Sequence, residues 1–140
     1  MNTKTLLISI KPKYATKIFD GSKRVELRKT KPRLSGGDQV MIYVSSPTKE
    51  LRGSFRVQRI IIKPIEELWE FVCNDAGVTK AEFYNYYGNS KKGYGIFFES
   101  VEQIKQPVKL EKLRTIWSNF HPPQTYRYLS ASETNLIDCY

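Results

Sequence analysis

Two cysteines and one histidine are the only thiolate or imidazole ligands among the 140 residues, and Cys73 and Cys139 stand far apart with no CxxC partner. With His121 alone beside them, they exclude the usual zinc sites and supply no disulfide framework. Long hydrophobic runs are also missing. The first apolar stretch, Thr5 to Ile10, is six residues long and stops at Lys11-Pro12. A membrane span needs about 20 apolar residues and a signal-peptide core at least ~7, so the chain reads as a cytoplasmic protein without a membrane segment. There is no internal repeat, low-complexity tract or linker, and 40% hydrophobic with 13% aromatic content suffices for one core. The expectation is a single domain over residues 1–140.

Acidic residues are scarce in the first part of the chain. Residues 1–63 hold 15 Lys+Arg against 4 Asp+Glu, a net +11, whereas residues 64–140 carry 8 against 10, a net −2. A basic half on a chain of pI near 9.6 points to a polyanion, because neutralising phosphates releases their counterions. Nucleic acid is the first candidate. The cations do not line one long amphipathic helix, which argues against a membrane surface.

Punctuation and periodicity give the elements. Leu6 to Ile10 reads as an apolar strand, and Pro12 opens a helix with the stripe Ala15, Ile18, Phe19, closed by Gly21. A strand follows from Arg24 to Thr30, then a basic loop from Lys31 to Gly37. Gln39 to Ser46 alternates Val40, Ile42 and Val44 with Met41, Tyr43 and Ser45, which predicts a strand with one aliphatic and one amphipathic face. Leu51 to Lys63 predicts a long strand with a bulge or close approach at Gly53 and an Ile60-Ile61-Ile62 run buried on both sides. Pro64 opens a helix carrying Ile65, Leu68, Trp69 and Val72, and Thr79-x-x-Glu82 is a capping box for another that ends at Gly88. Its Tyr84, Tyr86 and Tyr87 are expected mostly to pack against the sheet. Two strands, Tyr94 to Glu99 and Val101 to Gln106, and a short helix from Leu110 to Trp117 complete the reading. Strands interrupted by helices fit an α+β fold, a small curved mixed sheet or pseudo-barrel with flanking helices.

The densest chemistry is Gly21-Ser22-Lys23-Arg24-Val25-Glu26-Leu27-Arg28. Alternation along a strand turns Val25 and Leu27 one way and lines up Arg24, Glu26 and Arg28 on the other face. Such a face is either a solvated charge ladder or the wall of a cleft for an anion or polar ring. Lys23, near a carboxylate and other cations, suits phosphate binding or proton transfer. Arg28 offers a planar fork for a phosphate or a base edge. Tyr43 and Ser45 add hydroxyls.

The spacing Gly21, Lys23, Glu26, Arg28 resembles the Gly-x-Lys-x-x-Glu-x-Arg motif of the ASCH family, in the PUA-like superfamily. The likeness extends to Leu7-Ile8-Ser9-Ile10-Lys11-Pro12, to Gly37 through Pro47, and to Pro122-Pro123-Gln124-Thr125-Tyr126. It implies a PUA-like fold and adds Lys11, Ser46, Gln124 and Tyr126 as cleft walls. It also implies RNA as the partner, in a translation-linked or regulatory role; the basic residues Lys29, Lys31 and Arg33 are then placed to track its phosphates. Two alternatives come with the resemblance. One is hydrolysis, either of RNA or of a modified nucleoside. Lys23 and Glu26 would then be catalytic, with no required cofactor beyond a divalent cation for a nuclease. The other is a reader of a modified nucleotide, which needs an aromatic sandwich, with Trp69 and Trp117 as the large rings available. One branch deacylates N-acetylated cytidine with lysine, threonine and glutamate. Glu26 stands where that branch has its threonine, so the hydroxyl nucleophile is absent there.

Overall fold

The computed structural model describes residues 3–138; Cys139 lies outside them. A six-stranded mixed sheet runs in the order β2-β5-β4-β3-β1-β6. Its strands are β1 (Thr5–Ile10), β2 (Val25–Arg28), β3 (Gln39–Val44), β4 (Glu50–Pro64), β5 (Lys92–Lys109) and β6 (Tyr126–Leu129). β1 and β3 are parallel, and every other pairing is antiparallel. Five helices flank it: α1 (Pro12–Phe19), α2 (Ile65–Val72), α3 (Lys80–Tyr87), α4 (Leu110–Ile116) and α5 (Ala131–Asp138). The sheet is curved and open, with β2 and β6 at its ends, so the closed form of the expected architecture, a pseudo-barrel, is not adopted.

Alternation sorts the strand residues onto two faces. Leu6, Ile8 and Ile10 of β1, Val40, Ile42 and Val44 of β3, and Phe55 and Val57 of β4 join Ala15 and Ile18 of α1 in one core. Leu7, Met41, Tyr43 and Leu51 point the other way, against Leu113, Trp117, Phe120 and Ile137. A third cluster puts Leu68, Val72, Phe83 and Tyr87 over Val25 and Phe97. The middle of the sheet is thus covered on both sides. Burying a side chain such as Leu113 or Phe55 contributes about 1.5–3 kcal/mol each.

Local signals act as expected at several places. Pro12 stands in the first turn of α1. Gly21, at φ 88°, takes the left-handed conformation that glycine adopts without a steric penalty just past a helix end. Thr79 and Glu82 cap α3 reciprocally. At Gly53 the register of β3 and β4 slips, and a Cβ there would stand 2.2 Å from Glu102 O and 2.7 Å from the Phe19 ring.

Three expectations are corrected. The two late strands are one, β5; Ser100, at φ 53°, falls where they were expected to part, and the ladder with β4 absorbs the kink by shifting register between Ser54 and Arg56. The isoleucine run is not buried on both sides. Ile60 packs on the α1 core and Ile61 on the α2/α3 core, but Ile62 lies beyond that cover and is 51% exposed. Tyr43 is not on an amphipathic face, because α4 and the residues after it cover that side and leave the tyrosine 2% exposed.

Candidate functional site

β1 ends at Ile10, α1 begins at Pro12 and the chain returns through Gly21 into β2, so this excursion sets Lys11 and Tyr14 across from the motif. α3 closes the third side. Between them lies a cleft of about 480 Å³ lined by Ser9, Ile10, Lys11, Tyr14, Lys23, Glu26, Leu27, Arg28, Val78, Glu82, Phe83, Asn85 and Tyr86.

The strand alternation read from sequence puts Glu26 and Arg28 together, and the Arg28 Nη2 donates to Glu26 Oε2 at 2.6 Å. Lys23 Nζ stands 3.7 Å from the other oxygen, Oε1. Its side chain is 3% exposed and donates to the Ala76 carbonyl at 2.7 Å. Burial pulls the Lys23 pKa below the usual lysine value; Glu26 opposes that shift, and Arg28 and Lys17 add to it. Two cations therefore share one carboxylate in a largely dry wall. Arg28 Nε is buried with no hydrogen-bond partner. An unmet buried donor of this kind costs about 1–3 kcal/mol.

A second group holds the mouth. Tyr14 Oη and Lys13 Nζ each donate to Glu82 Oε2 at 2.8 Å, while Glu82 Oε1 accepts from the Thr79 backbone N–H at 2.9 Å. The Lys13 hydrogen bond, with those from Thr79 and Tyr14, holds the Glu82 carboxyl well below the usual carboxylate range. This clamp ties α1 to α3. Lys23 Nζ lies 5.6 Å from the centre of the Tyr14 ring, and Lys29 Nζ lies 5.1 Å from that of Tyr86. Tyr86 is 42% exposed. The arrangement offers a polar acceptor or anion two cations in the wall, with tyrosine rings beside them.

The structure gathers Lys11, Lys23, Glu26 and Arg28 in this cleft. Lys29 reaches its rim through Tyr86. Tyr43 does not line it, being turned to the opposite side of the sheet against Phe120. Ser45 is adjacent rather than within, its backbone N–H and Oγ both directed to Ile10 O at 2.9 and 3.4 Å. Ser46 and Gln124 are exposed and outside the lining. Tyr126 packs against the α1 core, and its segment borders the cleft through Ser9, which donates to Pro123 O at 2.5 Å. Lys31 and Arg33 lie on two other depressions. Arg24 is outside β2 and exposed, so the expected three-residue ladder is a pair.

Tyr14, Glu82, Asn85 and Tyr86 were not singled out for the cleft by the sequence reading. Glu82 carried a visible capping signal, but nothing local joins it to Tyr14, 68 residues away. Trp69 packs on Phe83 and Trp117 is buried beside Phe120, so neither forms a ring sandwich in the cleft. Among the described residues no three His, Cys, Asp or Glu side chains gather to hold a metal ion, and no helix is long and apolar enough to cross a membrane.

Comparison with known proteins bears on the family and the fold. A family model described as ASCH domain matches residues 8–118. An ASCH domain-containing ribonuclease from Zymomonas mobilis subsp. mobilis is 28% identical over 134 residues, covering 96% of this chain and 90% of that protein. The crystal structure of ASCH from Zymomonas mobilis superposes with a TM-score of 0.93 at 26% identity, covering 99% of this chain and 96% of that one. Large ribosomal subunit protein uL22 of Ureaplasma parvum serovar 3 is 28% identical over 91% of this chain, which spans 40% of that protein.

Proposed function

The chain belongs to the ASCH domain family, and we propose that it is an RNA-binding module that holds a nucleotide of its RNA in the cleft around Lys23, Glu26 and Arg28. The observation that carries this reading is the buried group of two cations on one carboxylate, with Arg28 Nε left without a partner. Its excess positive charge favours a phosphate or a base carbonyl. Tyr86, half exposed at the rim, supplies a ring for stacking. The basic first half of the chain supplies the long-range attraction. The Zymomonas relative's name, a ribonuclease, and the ribosomal name of the Ureaplasma relative support RNA as the polyanion and a translation-linked setting.

Hydrolysis of the RNA is the second reading, favoured by that ribonuclease relative and by the lowered proton affinity of Lys23. Glu26 is its candidate base, with a divalent ion as the expected helper. Both carboxylate oxygens already face cations, however, at 2.6 and 3.7 Å, so binding stands ahead of turnover.

The test is binding of the protein to labelled single-stranded and structured RNA at two salt concentrations, with Arg28→Gln in parallel and strand integrity checked afterwards. Salt-dependent binding of intact RNA, weakened at least several-fold by Arg28→Gln, is expected. Cleavage lost in Lys23→Met would replace the module by the enzyme. Equal binding by wild type and Arg28→Gln would remove the cleft from the reading.

A further inference from the structure

On the face of β4 and β5 that α2 covers, two cations have rings rather than carboxylates for partners. The Arg59 guanidinium lies 4.9 Å from the Phe97 ring centre and 5.5 Å from that of Phe71, and Lys63 Nζ lies 5.0 Å from Phe71. The ladder explains the cluster. Arg59 and Lys63 are four apart on β4 and share a face, Arg59 stands opposite Phe97, and Phe71 of α2 meets Phe97 edge-on at 5.9 Å.

Phe71 is 44% exposed. Among the described residues no carboxylate lies within 4 Å of Arg59 or Lys63, although α2 carries Glu66, Glu67 and Glu70. A guanidinium lying over rings keeps its N–H edge for acceptors, and an exposed ring between two unneutralised cations fits a base flanked by phosphates better than it fits an apolar partner. A separate depression of about 450 Å³, lined by Arg24, Gln58 and Asp75 among others, has Lys23 in common with the cleft and Phe97 in common with the stack.

We propose that Phe71, Arg59 and Lys63 form a second contact for single-stranded RNA, in which a base stacks on Phe71 and the two cations hold its neighbouring phosphates. The proposal rests on the RNA-binding reading of the cleft. It adds a requirement on length: an RNA confined to the cleft does not reach this surface.

The experiment compares wild type, Phe71→Ala, Phe71→Trp and Arg59→Gln by fluorescence anisotropy. The probes are a trinucleotide and an RNA of about 20 nucleotides, longer than the ~4–16 that a compact single-strand-binding fold covers. Phe71→Ala is expected to weaken the long RNA roughly 5- to 100-fold while leaving the trinucleotide within about twofold, and Phe71→Trp to retain tight binding. Arg59→Gln is expected to reduce the slope of log affinity against log salt by about 0.7 for the long RNA. Unchanged long-RNA affinity in Phe71→Ala, with both proteins binding the trinucleotide, overturns the second contact and leaves the cleft reading intact. Equal losses for both probes overturn it too, since the substitution would then act through the cleft. A wild type that binds neither RNA overturns both readings.

Discussion

Lys23→Met tests whether the motif lysine is kept at the expense of stability. The side chain is 3% exposed, and burial pulls its pKa down from the ordinary 10.5. Removing one partner of a buried ion pair costs about 3–5 kcal/mol when it leaves the other charge uncompensated, whereas replacing a whole pair by apolar groups of similar volume is neutral to stabilising by about 1–4 kcal/mol. Against this, the Ala76 carbonyl loses its donor at 2.7 Å, a cost of about 1–3 kcal/mol. Glu26 keeps Arg28 at 2.6 Å. The two effects are of similar size and opposite sign, so the net expectation at pH 7 is a variant within about 3 kcal/mol of wild type.

The pH dependence carries a definite sign. A lysine whose folded pKa lies below its unfolded one favours folding fully only above the unfolded value, and that contribution is lost as pH falls through the folded one. Wild type therefore gains stability relative to Lys23→Met as pH rises between the lowered Lys23 value and 10.5. Urea unfolding measures it, since 1 kcal/mol moves the midpoint by about 0.3–1 M. A variant less stable than wild type by clearly more than about 3 kcal/mol at pH 7, or a gap that does not shift toward wild type with rising pH, refutes the reasoning. RNA affinity should fall in the same variant.

Gly53→Ala places a Cβ 2.2 Å from Glu102 O, backbone that cannot yield without parting β4 from β5. A loss of about 3 kcal/mol or more is expected in thermal or urea unfolding. Thr79→Ala removes the hydroxyl that accepts from the Glu82 N–H, and should cost about 1 kcal/mol by the same measurement. It should also weaken RNA binding slightly, because Glu82 anchors Tyr14 from that helix start. Leu113→Ala empties a fully buried position under β5 and should cost about 2–5 kcal/mol without altering the salt slope of RNA binding.

Strands with one-residue alternation were legible because each face meets a different core: Val40, Ile42 and Val44 sort from Met41 and Tyr43 in the structure as in the sequence. What alternation could not convey is what covers each face. Tyr43 reads as a cleft hydroxyl until α4 is placed above it. The last strand and helix went unread because Tyr126–Leu129 is four residues long and α5 buries little beyond Ile137. A signal was present there: Ser130-x-x-Glu133 repeats the capping pattern of Thr79-x-x-Glu82, and both of its hydrogen bonds form. In the cleft, the motif pair was legible as neighbours on one strand. Tyr14 and Glu82 were not, since their contact depends on how α1 and α3 pack and not on any spacing in the chain.

The open sheet has a consequence for solubility. β2 is a terminal strand, bonded only to β5 among the described strands, and such a strand offers unpaired backbone groups to any other copy that can align with it. Short length and inward-facing charge are the usual safeguards against edge-to-edge aggregation. β2 has four residues, two of them Glu26 and Arg28. On the proposed function, the group that would serve the ligand thus also guards the rim of the sheet, and selection on either role would constrain the same side chains.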